Sequence, residues 1–253
     1  MKIDDANRKY LGVFEDTSES AQIIIPILLD IIGRPRSVVD LGGGIGAWCK
    51  VFKEKGVSRV TCIDDQSILQ SELKISSEEF VPWNLSKNLP APVSCELAVC
   101  LEVAEHLPKR LSKDVVSFLA NSAPLILFSA AIPGQTGVGH VNEQPPKYWE
   151  DLFAEFRYLK FDLIRPKIIH NRLVPFWYRQ NMVLYANKQW GEKLTAVEKA
   201  FGSIPDDFEL VHEWVLQSYR MRHGIRSWIK EFPGTLKTYI KARLGRGYPT
   251  RCN

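Results

Sequence analysis

Apolar positions fall along this chain in short blocks separated by polar stretches that carry glycine and proline. A block around Ser20–Ile32 has helical spacing and stops at Gly33 and Pro35. Ser37–Leu41 (SVVDL) reads as a short buried strand. It is followed by a glycine-rich turn and a helix-like segment, AWCKVFKEKG, that Gly56 caps. Ser58–Asp64, Phe80–Val81, Leu97–Leu101 and Leu125–Ala131 read as further strands, with a helix between the last two from about Lys109 to Ala120. Tyr148–Phe156 predicts another helix, and Lys160–Ile164 and Met182–Ala186 two late strands, the segment WYRQN (177–181) leading into the second. Strand and helix alternate, so the expected architecture is α/β: a doubly wound, mostly parallel seven-stranded sheet with right-handed crossovers. Three regions are expected: a helical lead-in over 1–36, the main domain over 37–188, and a basic helical extension over 189–253.

Composition narrows this picture. The chain has 253 residues, 45% of them hydrophobic, enough for one sizeable core with an appended segment. The longest apolar stretch, Ile23–Ile32, is interrupted by Pro26 and Asp30, too short for a membrane span of about 18 residues or more. The first residues, MKIDDANRKY, lack the apolar core of a signal peptide. Five cysteines (Cys49, Cys62, Cys95, Cys100, Cys252) form no CxxC pair, so a reducing, cytoplasmic setting without disulfides is expected. The net charge of +4 is uneven: Tyr219–Asn253 holds nine Lys/Arg and one acid, a local +8, which leaves −4 on the rest. Attraction to polyanions is therefore expected of the tail.

The first candidate chemistry is the turn from Asp40 to Gly46. Gly42, Gly43, Gly44 and Gly46 follow a strand at the edge of the sheet where open α/β folds bind ligands. They let the backbone turn sharply and approach a ligand closely. Asp64, with Asp65 beside it, ends the second strand, where a carboxylate accepts hydrogen bonds from ribose hydroxyls. Trp83, Asn84 and Leu85 follow the third, where an amide and an apolar side chain suit an adenine ring. Gly42-x-Gly44-x-x-Ala47 also satisfies a dinucleotide fingerprint. Asp40 just before the glycines, and a second acidic cluster after strand four, favour S-adenosylmethionine (SAM) over NAD.

That second cluster is Glu102, Glu105 and His106, joined by His140 after the fifth strand. A helical turn puts Glu102 on one side with Glu105 and His106. Two carboxylates and two imidazoles suit a divalent cation, Mg²⁺, Mn²⁺ or zinc, which would acidify an attacking hydroxyl. Two other readings stand beside this one. His106 acts alone as general base, or Glu105 and His106 only begin a helix.

Together, VVDLGGGIGAW, CIDD, LEVAEHLP, LFSAAIPGQTGVGHVNEQPPKYWEDLF and WYRQN resemble the class I SAM-dependent methyltransferase domain over about Ser37–Ala186. Within it they resemble a bacterial-type group associated with glycan or secondary-metabolite pathways. The resemblance implies a Rossmann-like methyltransferase sheet with an antiparallel last strand. It implies SAM held by Asp40, the glycines, Asp64, Asp65, Trp83, Asn84, Leu85 and Glu102. LEVAEH with a later loop histidine is also similar to two metal-dependent O-methyltransferase groups, acting on the 3′-terminal ribose of small RNAs and on catechol-like quinone precursors. By that similarity Glu102, Glu105, His106 and His140 are the ligands. His140 is followed by NEQPPKYW rather than an aromatic-rich segment, which speaks against RNA as substrate.

The expected activity is thus methyl transfer from SAM to a hydroxyl of a small molecule or glycan, with His106 and Glu105 catalytic. A ribose-methylating RNA enzyme and a non-catalytic SAM-binding module are the alternatives. Trp149 and Phe153, spaced i, i+4, are read as core, whereas Tyr148, Trp177 and Tyr178 are candidates for an acceptor wall. In the tail, Ile225, Trp228, Ile229, Phe232, Leu236, Tyr239 and Ile240 alternate with basic residues, suggesting a docked amphipathic helix or peripheral contact with an anionic membrane surface.

Overall fold

A computed structural model describes the backbone of residues 5–201 and the side chains of residues 17–199. The tail positions named above lie outside the described residues. Seven strands form one sheet in the order β3-β2-β1-β4-β5-β7-β6. They are β1 (Ser37–Leu41), β2 (Arg59–Asp64), β3 (Phe80–Pro82), β4 (Leu97–Leu101), β5 (Leu125–Ser129), β6 (Leu159–Phe161) and β7 (Val183–Ala186). The first five pair in parallel, and β7 runs antiparallel between β5 and β6. The expected mostly parallel doubly wound sheet with an antiparallel last strand is what forms.

Alternation along the strands divides the core in two. Val38, Val60, Leu97, Val99, Leu125, Leu127 and Leu184 face a layer built from α1 (Asp5–Ile32), α2 (Ala47–Glu54) and Leu194 of α7 (Lys188–Phe201). Val39, Leu41, Ala98, Cys100, Ile126 and Phe128 face α3 (Ser112–Ser122) and α4 (Pro146–Glu155). Burial on both faces is why β1, β4 and β5 read as continuous apolar runs. Trp149 and Phe153 are buried, as the helical spacing predicts, and Phe153 stacks on Tyr185 of β7 with centroids 3.9 Å apart.

Several boundaries differ from the sequence reading. α1 begins at Asp5 rather than near Ser20. β5 stops at Ser129, where its parallel pairing with β4 ends at Leu101↔Ser129. β6 is Leu159–Phe161 rather than Lys160–Ile164. Asp162 instead grips Arg165 with contacts of 2.6 and 2.8 Å and turns the chain into α5 (Arg165–Ile168). WYRQN leads into the last strand, β7, but as a helix: Phe176–Asn181 forms α6, whose Tyr178 packs edge-on against Trp48.

The strand order reverses between β1 and β4, the switch point where open α/β sheets bind ligands. The glycine loop leaves β1 there, and the Glu102–His106 turn leaves β4 beside it.

No helix among the described residues is long and apolar enough to cross a membrane.

Candidate active site

The glycine loop is built by positions that need the absence of a side chain. Gly42, Gly44 and Gly46 have φ of 77°, 56° and 82°. A Cβ on Gly42 would come within 2.3 Å of Val103, and one on Gly43 within 2.5 Å of Asp40 Oδ2. The amides of Gly42 and Gly46 donate to Ile63 O at 2.7 Å and Gly43 O at 2.9 Å, which pins the loop against β2 and the start of α2. Asp64 reaches the loop from β2. Its Oδ2 accepts from the Gly44 amide at 2.6 Å, and its Oδ1 accepts from Asp65 N at the same distance. Burial raises the Asp64 pKa, and these two hydrogen bonds oppose the rise. Asp40 lies fully enclosed behind the loop, where burial and the Asp64 charge push its pKa up to about 7.

Trp83 continues the β2 edge by donating its amide to Asp64 O at 2.7 Å, while its indole Nε1 donates to Asn88 O at 3.0 Å. Asn84 Oδ1 accepts from Ser86 N at 3.1 Å and closes a turn, which leaves its NH₂ for other contacts. Leu85 is buried in the core below. These residues fit SAM: a sharp glycine cradle, an acid aimed into it from the second strand and an amide at the third strand's end stand together on one sheet edge.

The second half of the site begins at Glu102, which has φ of 54°, a left-handed conformation unusual for a residue with a side chain. The chain then makes a single 3₁₀ turn, Ala104–His106. Ligand atoms of Glu105, His106 and His140 lie within 4.8 Å of one another. The two imidazoles meet edge-to-face with centroids 4.8 Å apart. His140 is oriented by Glu143, whose Oε1 lies 2.8 Å from Nδ1, leaving Nε2 for the centre. Glu143 is itself fixed by the amides of Gly134 and Thr136, each at 2.7 Å. The loop is strapped to the turn by the amides of Val141 and Asn142, which donate to the Glu105 carbonyl at 2.8 and 3.0 Å.

Glu105 is completely buried, and neither carboxylate oxygen accepts a hydrogen bond. The amides of Glu105 and Ala131 favour its charged form, and contact with the Glu102 carboxyl favours the protonated one. Burial and the neighbouring Glu102 charge nevertheless hold its pKa well above the ordinary range. His106 is pushed down to about 4 by burial and by His140, so its ring is neutral at pH 7. A buried carboxylate, flanked by two imidazoles of which one is held by a second carboxylate, offers the donor types that a divalent cation takes.

Glu102 stands outside that trio and is held by amides. Asn181 Nδ2 lies 3.1 and 3.3 Å from its two oxygens, and Gln135 Nε2 donates at 3.0 Å. Gln180 Nε2 donates to Gln135 Oε1 at 3.1 Å and so completes a buried polar knot. Gln135 and Glu143 escaped the sequence reading, since lone polar residues on a loop carry no pattern. Gln180 and Asn181 sit in the WYRQN segment, where nothing local marks their amides as partners of Glu102 and Gln135. Of those aromatics Tyr178 is buried, Trp177 is half-buried against the core, and Tyr148 lies under the Lys109 ammonium at 5.1 Å.

No family model matches the chain, and no curated protein matches it in sequence. Solved structures do match its fold. The plantazolicin methyltransferase BpumL, solved with a pentazolic desmethylPZN analogue and SAH, superposes with a TM-score of 0.50 at 12% identity, over 73% of this chain and 90% of that one. An O-methyltransferase family protein from Burkholderia thailandensis gives 0.49 at 12% identity, over 72% and 58%. Human N-acetylserotonin methyltransferase in complex with SAM gives 0.46 at 13% identity, over 70% and 55%. The chain spans little more than half the length of the last two. What the first of these likenesses shows is the fold: a seven-stranded, Rossmann-like α/β sheet.

Proposed function

We propose that this protein transfers a methyl group from SAM to a hydroxyl of a small molecule or glycan, with a divalent cation held by Glu105, His106 and His140. The observation that carries the reading is the Glu105 carboxylate, buried, without a hydrogen-bond donor and flanked by two imidazoles, beside a glycine cradle on the same sheet edge.

In this reading Asp40, Gly42, Gly43, Gly44, Gly46, Asp64, Asp65, Trp83, Asn84 and Leu85 form the cofactor side. SAM supplies an electrophilic methyl on a positively charged sulfonium. Asp64 and the loop amides orient the cofactor, and Asp40 adds negative charge behind it. A divalent cation supplies Lewis acidity that lowers the pKa of an acceptor hydroxyl. Glu105 balances its charge, His106 and His140 offer neutral nitrogens, and Glu143 fixes the His140 ring. Glu102, clamped by Asn181 and Gln135, faces the same centre and takes no direct ligand role in this arrangement. The cradle and the turn bring the two reactants together, which is the main contribution to an in-line displacement.

The reading is tested by titrating the protein with Mn²⁺ and with SAM, and by assaying a panel of vicinal diols and catechols with and without EDTA. Wild type should bind both ligands. Glu105→Gln and His140→Ala should lose Mn²⁺ affinity and EDTA-sensitive activity while SAM affinity stays within about threefold. Methyl transfer that survives both EDTA and His140→Ala removes the cation from the reading, and failure to bind SAM removes the reading altogether.

A further inference from the structure

Leu173, Val138 and Val141 are the most exposed large apolar side chains among the described residues, at 71%, 68% and 65%. They sit on two segments at one edge of the sheet. β5 and β6 both run antiparallel to β7, so the chain leaves both strands at the same edge, about 10 Å apart across two strand spacings. Hydrogen bonds stitch the two segments together. Gln180 Nε2 and Asn181 Nδ2, near the end of the segment after β6, reach Gln135 Oε1, on the segment after β5, at 3.1 and 2.9 Å. A single exposed aliphatic residue is ordinary on a protein surface, but three on two stitched segments form a patch.

The charge on these segments has one sign. Residues 163–191 contain five Lys/Arg and no Asp or Glu, and residues 130–142 contain no acid either. Lys167 and Arg172, on the segment of Leu173, are exposed. The acids that flank the two segments at positions 162 and 143 are engaged. Asp162 grips Arg165 at 2.6 and 2.8 Å, and Glu143 is taken by the amides of Gly134 and Thr136 and by the His140 ring. The turn that carries Arg172 and Leu173 is braced: Asn171 N donates to Ile168 O at 2.9 Å, and Leu173 N donates to Asn171 Oδ1 at 3.0 Å. Aliphatic tips on a fixed turn, with cations on the same segment and no acid within either segment, complement an anionic bilayer. The tips enter the headgroup layer and the cations meet its phosphates. RNA is met by exposed aromatic platforms, and here the aromatics Phe176 and Trp177 are half-buried. A second copy on the same face would set like charges against each other.

We propose that the two segments form a docking surface for an anionic membrane, with Leu173, Val138 and Val141 in the headgroup layer and Lys167 and Arg172 on its phosphates. This surface is separate from the basic tail. It goes beyond the methyl-transfer reading, since neither cofactor nor cation takes part in it. His140 lies between Val138 and Val141 in the chain, so docking brings the candidate site up to the lipid surface.

The test is sedimentation of the full chain, without SAM or metal, with vesicles of phosphatidylcholine alone or with about 40% phosphatidylglycerol, at about 0.1 M salt. Wild type should bind the anionic vesicles at least about tenfold more tightly than the neutral ones. Arg172→Glu and Leu173→Asp should each weaken that binding at least about fivefold with Tm unchanged, since both side chains are exposed. Leu159→Asp is the charge-matched control. Leu159 is 57% exposed but begins β6 at the opposite edge of the sheet, so this variant should bind as wild type does. Absence of vesicle binding overturns the proposal. So does wild-type binding by Arg172→Glu and Leu173→Asp, which gives the attraction to the tail alone, and so does an equal loss in Leu159→Asp, which means that only net charge is read. A short RNA that binds more tightly than the vesicles and is lost in the same two variants assigns the face to nucleic acid instead. A dimer in sedimentation velocity that Leu173→Asp splits assigns it to a second copy. SAM and methyl transfer are not read in this experiment, so its failure leaves the methyl-transfer reading standing.

Discussion

Asp40 should destabilise the protein that it equips. In the native state burial and the Asp64 charge move its pKa from 3.8 to about 7. Below the lower value the carboxyl is protonated in both states and nothing is lost. Between the two, the native state holds a proton that the unfolded chain has released, so stability falls as pH rises, by up to about 1.4 kcal/mol per unit. Above pH 7 the full penalty is present. Roughly three units correspond to about 4 kcal/mol, an upper figure for a group so deeply enclosed. Asp40→Asn keeps the shape and removes the titration. Urea unfolding of the SAM-free protein at pH 4.5 and pH 8 should show the variant gaining on wild type by about 2–4 kcal/mol between the two conditions. On the proposed reading its SAM affinity should drop at least tenfold, because negative charge is lost behind the loop assigned to a cationic cofactor. If the variant and wild type differ by the same amount at both pH values, Asp40 is ionised and solvated in the native state and this account of the cofactor side fails.

Three further outcomes follow from the geometry. Glu143→Gln should lower Mn²⁺ affinity by about 10–100-fold with SAM affinity unchanged, read by calorimetry, because the His140 ring loses the carboxylate on Nδ1. Gly42→Ala should destabilise by about 2 kcal/mol or more in chemical unfolding, since its φ of 77° is strained and its Cβ meets Val103 at 2.3 Å. Adding Val103→Ala should recover part of that loss but not the backbone strain. Asn181→Ala should lower Tm by an amount equivalent to about 1–3 kcal/mol, because the part-buried Glu102 carboxylate loses a donor to both its oxygens.

The parts of the fold legible in the sequence are those governed by local pattern. β1, β2, β4 and β5 announced themselves as apolar runs, and Gly33 and Gly56 marked helix ends with φ of 79° and 88°. The glycine loop and Asp64 were legible because a tight βα turn admits few residue types. Glu105, His106 and His140 were legible as chemistry, and the fold brings them together. α6 was not, since six residues are too few to show helical periodicity, and its aromatic start mimics a strand. The knot of Gln135, Gln180, Asn181 and Glu102 joins positions 33 to 79 residues apart, which no local pattern encodes. The same holds for Glu143. Its role depends on the His140 ring turning back toward it and on two loop amides folding over its oxygens.

The polar knot also fixes an order of events during synthesis. A nascent chain folded through β5 already carries the entire glycine cradle and the Glu105–His106 turn. Glu102 still lacks Asn181, which arrives more than fifty residues after Ser129, and the antiparallel β7 that follows it. The glycine loop and the Glu105–His106 turn are therefore synthesised before the residues that clamp Glu102. On the proposed reading, a cofactor could be held by residues made early, whereas the amides that clamp Glu102 come together only when α6 reaches the sheet edge.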